Sequence, residues 1–439
     1  MNSQTESAIA TPSFASALRF WFVLGCISFG GPAGQIAVMH SELVDKRRWV
    51  DETSFMRALN FCMLLPGPEA MQLAAWLGWR LHGMRGGLVA GALFVLPAAV
   101  LLALLSWLYL RFGESPVAVG IVFALQAAVL GIIAHAARKI GGRVLKTPFA
   151  LVLALAALLL IAFTPLPFPL LILGAALAGL AAHRWRPGWL APPARHGAPA
   201  AASESMPPPA DRRAGFARMA RVATALLLAW WLPLLALAAW PGVDSTAFAM
   251  GLFFSKAALV TFGGAYAVLP YVAEQAVQSH GWLDAGQMMA GLGLAETTPG
   301  PLVLVLEFVG FVGGWQHPDL ATPLASALLC TAVTLWATFL PSFLFVLTFA
   351  PWIDRIGETG AIAAALSAVT AAVVGVIAHL ALWFGGALLT GQEIPAVVFA
   401  LVIAVVVYVG LTRWHWPVAG IVVGAGVLGA VAQNVLVIG

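Results

Sequence analysis

Charge is what this chain lacks most. Asp, Glu, Lys and Arg together make up 9% of its 439 residues, against 61% hydrophobic residues. A water-soluble domain carries about 25% charged residues, so a soluble fold of this length could not cover its surface. Cysteine is scarce too. Cys26, Cys62 and Cys330 each sit in an apolar stretch, and their spacing excludes a disulfide framework and a Cys/His metal site. There is no HExxH and no phosphate-binding loop, which removes the commonest metalloenzyme and nucleotide chemistries; no metal, cofactor or enzymatic role is expected. Basic residues are too sparse and too poor in neighbouring aromatics for a nucleic-acid reader. The first 13 residues are polar and lack the basic start of a cleavable signal peptide.

What is present is long apolar runs. The stretches 86–110, 116–137 and 361–382 approach or exceed the ~20 residues that a membrane-spanning helix needs. They show no period-2 alternation, so the expected fold is an all-α polytopic membrane protein and not a barrel.

The chain contains an internal repeat. Phe29-Gly30-Gly31, Trp49, Asp51 and Pro66-Gly67-Pro68 recur as Phe262-Gly263-Gly264, Trp282, Asp284 and Pro299-Gly300-Pro301, at a constant offset of 233 residues. Further on, Pro97 matches Pro341 and His135 matches His379 at an offset of 244, which requires an insertion around Trp315 to Ala325. The organisation predicted is a first repeat over 1–182, a polar Pro/Arg-rich linker over 183–221, an extra span over 222–240 and a second repeat over 241–439. The linker carries seven arginines from Arg184 to Arg221, and that excess of positive charge assigns it to the cytoplasm. One unpaired span between the halves should turn the second half upside down relative to the first, a recurring plan of secondary transporters.

The remaining charges test that topology. With the linker inside, Arg80, Arg85, Arg138, Lys139, Arg143, Lys146, Arg355 and Arg413 also fall inside. Lys46-Arg47-Arg48 falls outside if the segments 14–31 and 54–79 each span once, and inside if each is a hairpin broken at its Gly or Pro tip. Two architectures therefore stand: about thirteen conventional spans, or broken and re-entrant segments.

The breaks are where chemistry is expected. Irregular backbone in a bilayer survives only where protein or water satisfies it. A helix that restarts inside the membrane presents unpaired N–H groups and a positive dipole end, which suits an anion. On that ground Gly30, Gly31, Gly67, Gly263, Gly264 and Gly300 are candidate anion-binding positions, with Thr297 and Thr298 beside the last break. The rival reading is close helix packing or simple kinks. Lys256, alone in an apolar stretch, could supply countercharge; the alternatives are a structural ion pair or a side chain reaching for the interface. Glu69, Glu296 and Glu307 are candidate proton carriers, or hydrogen-bonded or Lys-paired carboxyls. None of these four charges is duplicated: their repeat mates are Val23, Leu302, Met63 and Ala74. Trp49 and Trp282 suggest interfacial anchors, Asp51 and Asp284 helix N-caps, and His135 and His379 packing residues or titrating ones.

The paired Phe-Gly-Gly and Pro-Gly-Pro segments, each with a Trp-x-Asp between them, resemble the chromate ion transporter family in its long, two-domain form, over nearly the whole chain. That resemblance implies a carrier of the bacterial inner membrane that exports chromate, energised by the membrane potential or a proton gradient, and so confers chromate resistance. It carries over the first-half positions Phe29, Gly30, Gly31, Pro32, Pro66, Gly67 and Pro68 and their second-half mates. Ala265 stands where the first half has Pro32. Sulfate, an isosteric dianion, is the second substrate implied. The partners expected are the oxyanion and membrane lipid, with a second copy of the chain as a further candidate. An uncoupled anion channel and a membrane-embedded enzyme are the competing functions.

Overall fold

The computed structural model describes residues 12–29, 31–186, 189, 212–262, 264–355 and 360–433. Gly30, Gly263 and most of the predicted linker lie outside the described residues. All the described regular structure is helical, and seven helices are long and apolar enough to cross a membrane.

The repeat is visible element by element. In the first half α1 (Phe14–Ile27) breaks and restarts as α2 (Gly31–His40), which runs into a π-helical turn, Ser41–Lys46. α3 (Glu52–Cys62) breaks at Pro66-Gly67-Pro68 and restarts as α4 (Glu69–Phe112); α5 (Pro116–Val144), α6 (Pro148–Phe163) and α7 (Phe168–Trp185) follow. α8 (Arg212–Leu237) is the unpaired segment. In the second half α9 (Thr246–Val260) breaks and restarts as α10 (Ala265–Glu274), again running into a π-helical turn, Gln275–Ser279. α11 (Ala285–Thr297) breaks at Pro299-Gly300-Pro301 and restarts through Leu302–Leu304 into α12 (Val305–Gln316). α13 (Pro323–Phe349), α14 (Gly360–Leu389), α15 (Ile394–Val409) and α16 (Val418–Ala432) complete the chain. The helices at all four motifs are interrupted.

The insertion lies where the offsets require it. α4 leaves helical geometry at His82 and Gly83 and continues, whereas the second half parts into α12 and α13 at the equivalent point, joined by residues 317–322. Local chemistry sets the helix starts. Asp51 accepts a hydrogen bond from the Ser54 amide, and Asp284 forms a reciprocal capping box with Gln287, as N-cap carboxylates do. Trp49 packs against Phe20 under the Arg47 guanidinium. Trp282 differs from an interfacial anchor: it is buried, stacked on His280 and wedged against Gly313.

The two halves interlock. α14 packs on α6 and α7, while its repeat mate α5 packs on α15 and α16. Each half thus seals the outer helices of the other. At these crossings backbone meets backbone: a Cβ at Gly375 would strike the Ala154 carbonyl, the close approach that small residues permit in membranes. The outer faces are apolar. Leu151, Val152, Leu155 and Phe163 on α6 and Val423, Val427 and Val431 on α16 are all exposed, which only a lipid environment stabilises. The chain is an all-α, multi-pass membrane protein.

Candidate functional site

The breaks meet in pairs across the repeat, each pair held by a hydrogen bond between halves. The Gly67 amide donates to the Thr261 carbonyl at 2.8 Å, and the Gly300 amide donates to the Ser28 carbonyl at 2.8 Å. Gly67 and Gly300 are repeat mates, as are Ser28 and Thr261, so each half grips the other by the same atoms. The hydroxyls of Ser28 and Thr261 both turn back on their own helices, to Leu24 and Ala257 carbonyls at 2.6 Å. Two first-half glutamines brace the turns. The Gln72 amide donates to the Pro66 carbonyl at 2.7 Å, and the Gln35 amide donates to the Gly300 carbonyl at 2.5 Å.

Gly67 and Gly300 must be glycine. Their φ angles are 119° and 104°, which side chains rarely adopt. A Cβ would also run into the Ser342 hydroxyl at Gly67 and come within 2.7 Å of the Ala98 Cβ at Gly300. Their amides are committed to the inter-repeat bonds, so the N–H groups open to a ligand are those of the helix starts that follow. Gly31 opens α2, and Gly264 caps α10 with open space around its Cα.

A cavity of about 270 Å³ lies against the second Pro-Gly-Pro break, lined by Phe29, Gly31, Glu296, Thr298, Gly300 and Leu302 together with Pro417 and Val418. Three helices begin at its wall: α2 at Gly31, the turn into α12 at Leu302, and α16 at Val418. The first amides of a helix have no intrahelical acceptor, so three positive dipole ends converge on one space. Glu296 is the only charged residue in the lining, and its carboxylate accepts a short hydrogen bond from the Tyr266 hydroxyl. Thr297 and Thr298 donate their hydroxyl protons to Leu294 and Ala295 carbonyls at 2.6 and 2.9 Å.

A second cavity, about 330 Å³, lies beside Phe262, the repeat mate of Phe29, and near the start of α7, which corresponds in order to α16. Its lining, from Pro169 to Val369, is entirely apolar. Of two similarly placed cavities, one has kept polar chemistry.

The structure therefore gathers Gly31, Glu296, Thr298 and Gly300 around one cavity. Gly67 and Glu69 lie at the other Pro-Gly-Pro break, Glu69 as the first residue of α4, where the helix dipole favours an acid. Glu307 is 1% exposed on α12, and neither carboxylate oxygen has a partner among the described residues. Lys256 is on the exposed side of α9 and makes no ion pair among the described residues, so the paired reading of Lys256 with Glu296 or Glu307 is not formed. Its charge is felt instead by His280, which burial first and Lys256 second hold below its usual pKa. His135 packs through a 3.2 Å hydrogen bond to Thr412. Sequence reasoning missed Tyr266, Gln35, Gln72 and the start of α16. Tyr266 replaces Ala33 of the first half, and a tyrosine two residues after the Gly-Gly break was the signal. The α16 start has no motif.

Known proteins resemble this chain over both halves. The family model described as "Chromate transporter" matches residues 15–180 and again residues 248–430. A chromate transport protein of Pseudomonas aeruginosa is 31% identical over 98% of this chain and 94% of its own length. One from Cupriavidus metallidurans is 28% identical over 95% of this chain and 93% of its own length. An uncharacterized transporter of Methanocaldococcus jannaschii is 26% identical over 90% of each. No solved structure matches the chain. With both halves matched and relatives aligned end to end, the chain belongs to the chromate transporter family and is a duplicated, multi-pass membrane transporter.

Proposed function

We propose that this protein is a secondary active transporter exporting a tetrahedral oxyanion, chromate first and sulfate as its isosteric competitor, across the bacterial inner membrane. The observation that carries the reading is the convergence of three helix N-termini on the cavity at Gly300. Backbone amides and dipoles suit a compact dianion, because they bind its oxygens without an arginine fork. The anion sits among the first amides of α2, α12 and α16, with Gly31 allowing close approach.

Glu296 gives the site its coupling. A carboxylate a few ångströms from a dianion, in surroundings far less polar than water, costs on the order of several kcal/mol. Glu296 is therefore neutral while the anion is bound, with one of its oxygens still accepting the hydrogen bond from the Tyr266 hydroxyl. Proton and anion then bind together, each raising the affinity for the other, and the pair leaves with one net negative charge, so the inside-negative membrane potential drives export.

The halves are inverted. Reciprocal contacts between repeat mates, Gly67 to Thr261 and Gly300 to Ser28, have the isologous character of a two-fold, and the single unpaired helix α8 supports an axis in the membrane plane. The two hairpins are packed differently: α10 and α11 lie against α14 and α5, and eight of the ten residues of α10 are buried against two in α2. Exchange of those two packings is the alternating-access step. Lys256 acts from the exposed flank as an attractive charge for the anion.

Uptake of labelled chromate or sulfate into inside-out vesicles and proteoliposomes tests the reading. Accumulation against a gradient, dependent on the membrane potential or proton gradient, is expected. Strictly downhill flux would favour an uncoupled channel.

A further inference from the structure

The second half holds a buried polar group that the anion site does not use. Glu307 is 1% exposed, and both of its oxygens lack a partner among the described residues. Two hydroxyls of α13, Thr334 and Thr338, are buried at 0% and 3% and are likewise unpartnered. Register brings them together. α12 and α13 are joined by residues 317–322 and pack closely as neighbours. A Cβ at Gly314 would lie 2.7 Å from the Cys330 Cβ, and one at Gly310 would lie 2.5 Å from the Thr334 hydroxyl. Each step back along α12 is thus a step forward along α13, which sets Glu307 level with Thr338, one turn beyond Thr334.

The lane continues. One further turn along α13, the Ser342 hydroxyl accepts a 3.4 Å hydrogen bond from the Gln72 amide, whose own oxygen is unpartnered. Gln72 also braces Pro66. A line of oxygens therefore runs from Thr334 and Glu307, past Thr338 and Ser342, to the first Pro-Gly-Pro break.

The chemistry of that line is one-sided. It offers carboxylate, hydroxyl and amide oxygens at a helix interface. Neither α12 nor α13 contains a Lys, Arg or His. An isolated buried carboxylate is too costly to leave uncompensated. Oxygen-only ligands around a single negative charge match a hard monovalent cation. We propose that Glu307, Thr334 and Thr338 form a sodium-ion site within the second half, reached through the lane from Gln72 and Ser342. Its repeat mate, Ala74, has no such group, so the site is single although the fold is double. As a coupling site it rests on the transporter reading above; as a binding site it stands alone.

The test is cation binding to the purified full-length protein, independent of transport. Thermal unfolding is followed while sodium replaces choline at constant chloride and ionic strength. A saturable rise in Tm with sodium is expected, absent in Glu307→Gln and weakened at least tenfold in apparent affinity in Thr334→Val/Thr338→Val. If Glu307→Gln fails to fold, the threonine double variant and Thr334→Ser, which should retain binding, provide the readout. No saturable sodium effect in the wild type, or one that survives loss of Glu307, overturns the site. So does stabilisation by acid alone that disappears in Glu307→Gln, since the carboxyl would then simply hold a proton. Failure here leaves oxyanion transport untouched, and failure of anion transport leaves sodium binding untouched.

Discussion

The Gly67 amide and the Thr261 carbonyl, 194 residues apart in sequence, are joined at 2.8 Å, and their repeat mates Gly300 and Ser28 make the same bond in the reverse sense. This pair of bonds ties the broken helices of one half to those of the other. It explains why the glycines of the two Pro-Gly-Pro motifs are structural clamps as much as ligand contacts.

Replacing either clamp should destabilise the protein before it affects binding. Gly67→Val and Gly300→Val each force a branched side chain into positive φ and into Ser342 or Ala98, for a loss of about 1–3 kcal/mol or more. Gly264→Ala meets open space and carries only the backbone strain. Thermal unfolding in detergent should rank the two valine variants well below Gly264→Ala.

Glu296 should control the pH dependence of anion binding. Binding tightens as pH falls in the wild type, because the anion requires the protonated carboxyl. Glu296→Gln should bind the anion with an affinity nearly independent of pH, and should lose the dependence of accumulation on the proton gradient. Tyr266→Phe removes the hydroxyl that Glu296 accepts from and should shift the pH profile while leaving it sloped. Chromate binding titrated across pH distinguishes these outcomes. A Glu296→Gln profile as steep as the wild type would exclude this coupling.

Lys256→Met should leave folded yield and Tm unchanged, since exposed substitutions without partners usually shift stability by less than about 0.5 kcal/mol. It should raise the half-saturating anion concentration, and the effect should shrink as salt is added, because an exposed charge acts over a Debye length of about 10 Å at 0.1 M. Transport assayed at two ionic strengths checks both parts.

Single cysteines at Lys46 and Gln278, in a background lacking the native thiols, should label from opposite faces, with Lys46 cytoplasmic. The Lys46 turn is rich in charge: Glu42 bonds Lys46 at 2.7 Å and Arg47 at 3.2 Å. Its mate around Gln278 has no Lys or Arg, as an outward-facing turn should. Labelling of both from one face would exclude inversion of the hairpins.

Much of this molecule was written in its sequence. Low charge and long apolar runs determined a helical membrane protein, because no other fold can hide so little polarity. The 233-residue offset determined the repeat, and the Gly and Pro positions determined all four breaks, because φ limits and the missing proline N–H act locally. Asp51 and Asp284 were legible as caps for the same reason. What the tertiary structure alone decided was which groups meet. The pairing of Gly67 with Thr261, the capture of Gly300 by Gln35 and the arrival of the α16 start beside Glu296 depend on helices distant in sequence. Their interdigitation is fixed by close packing of small residues, and no local pattern encodes it.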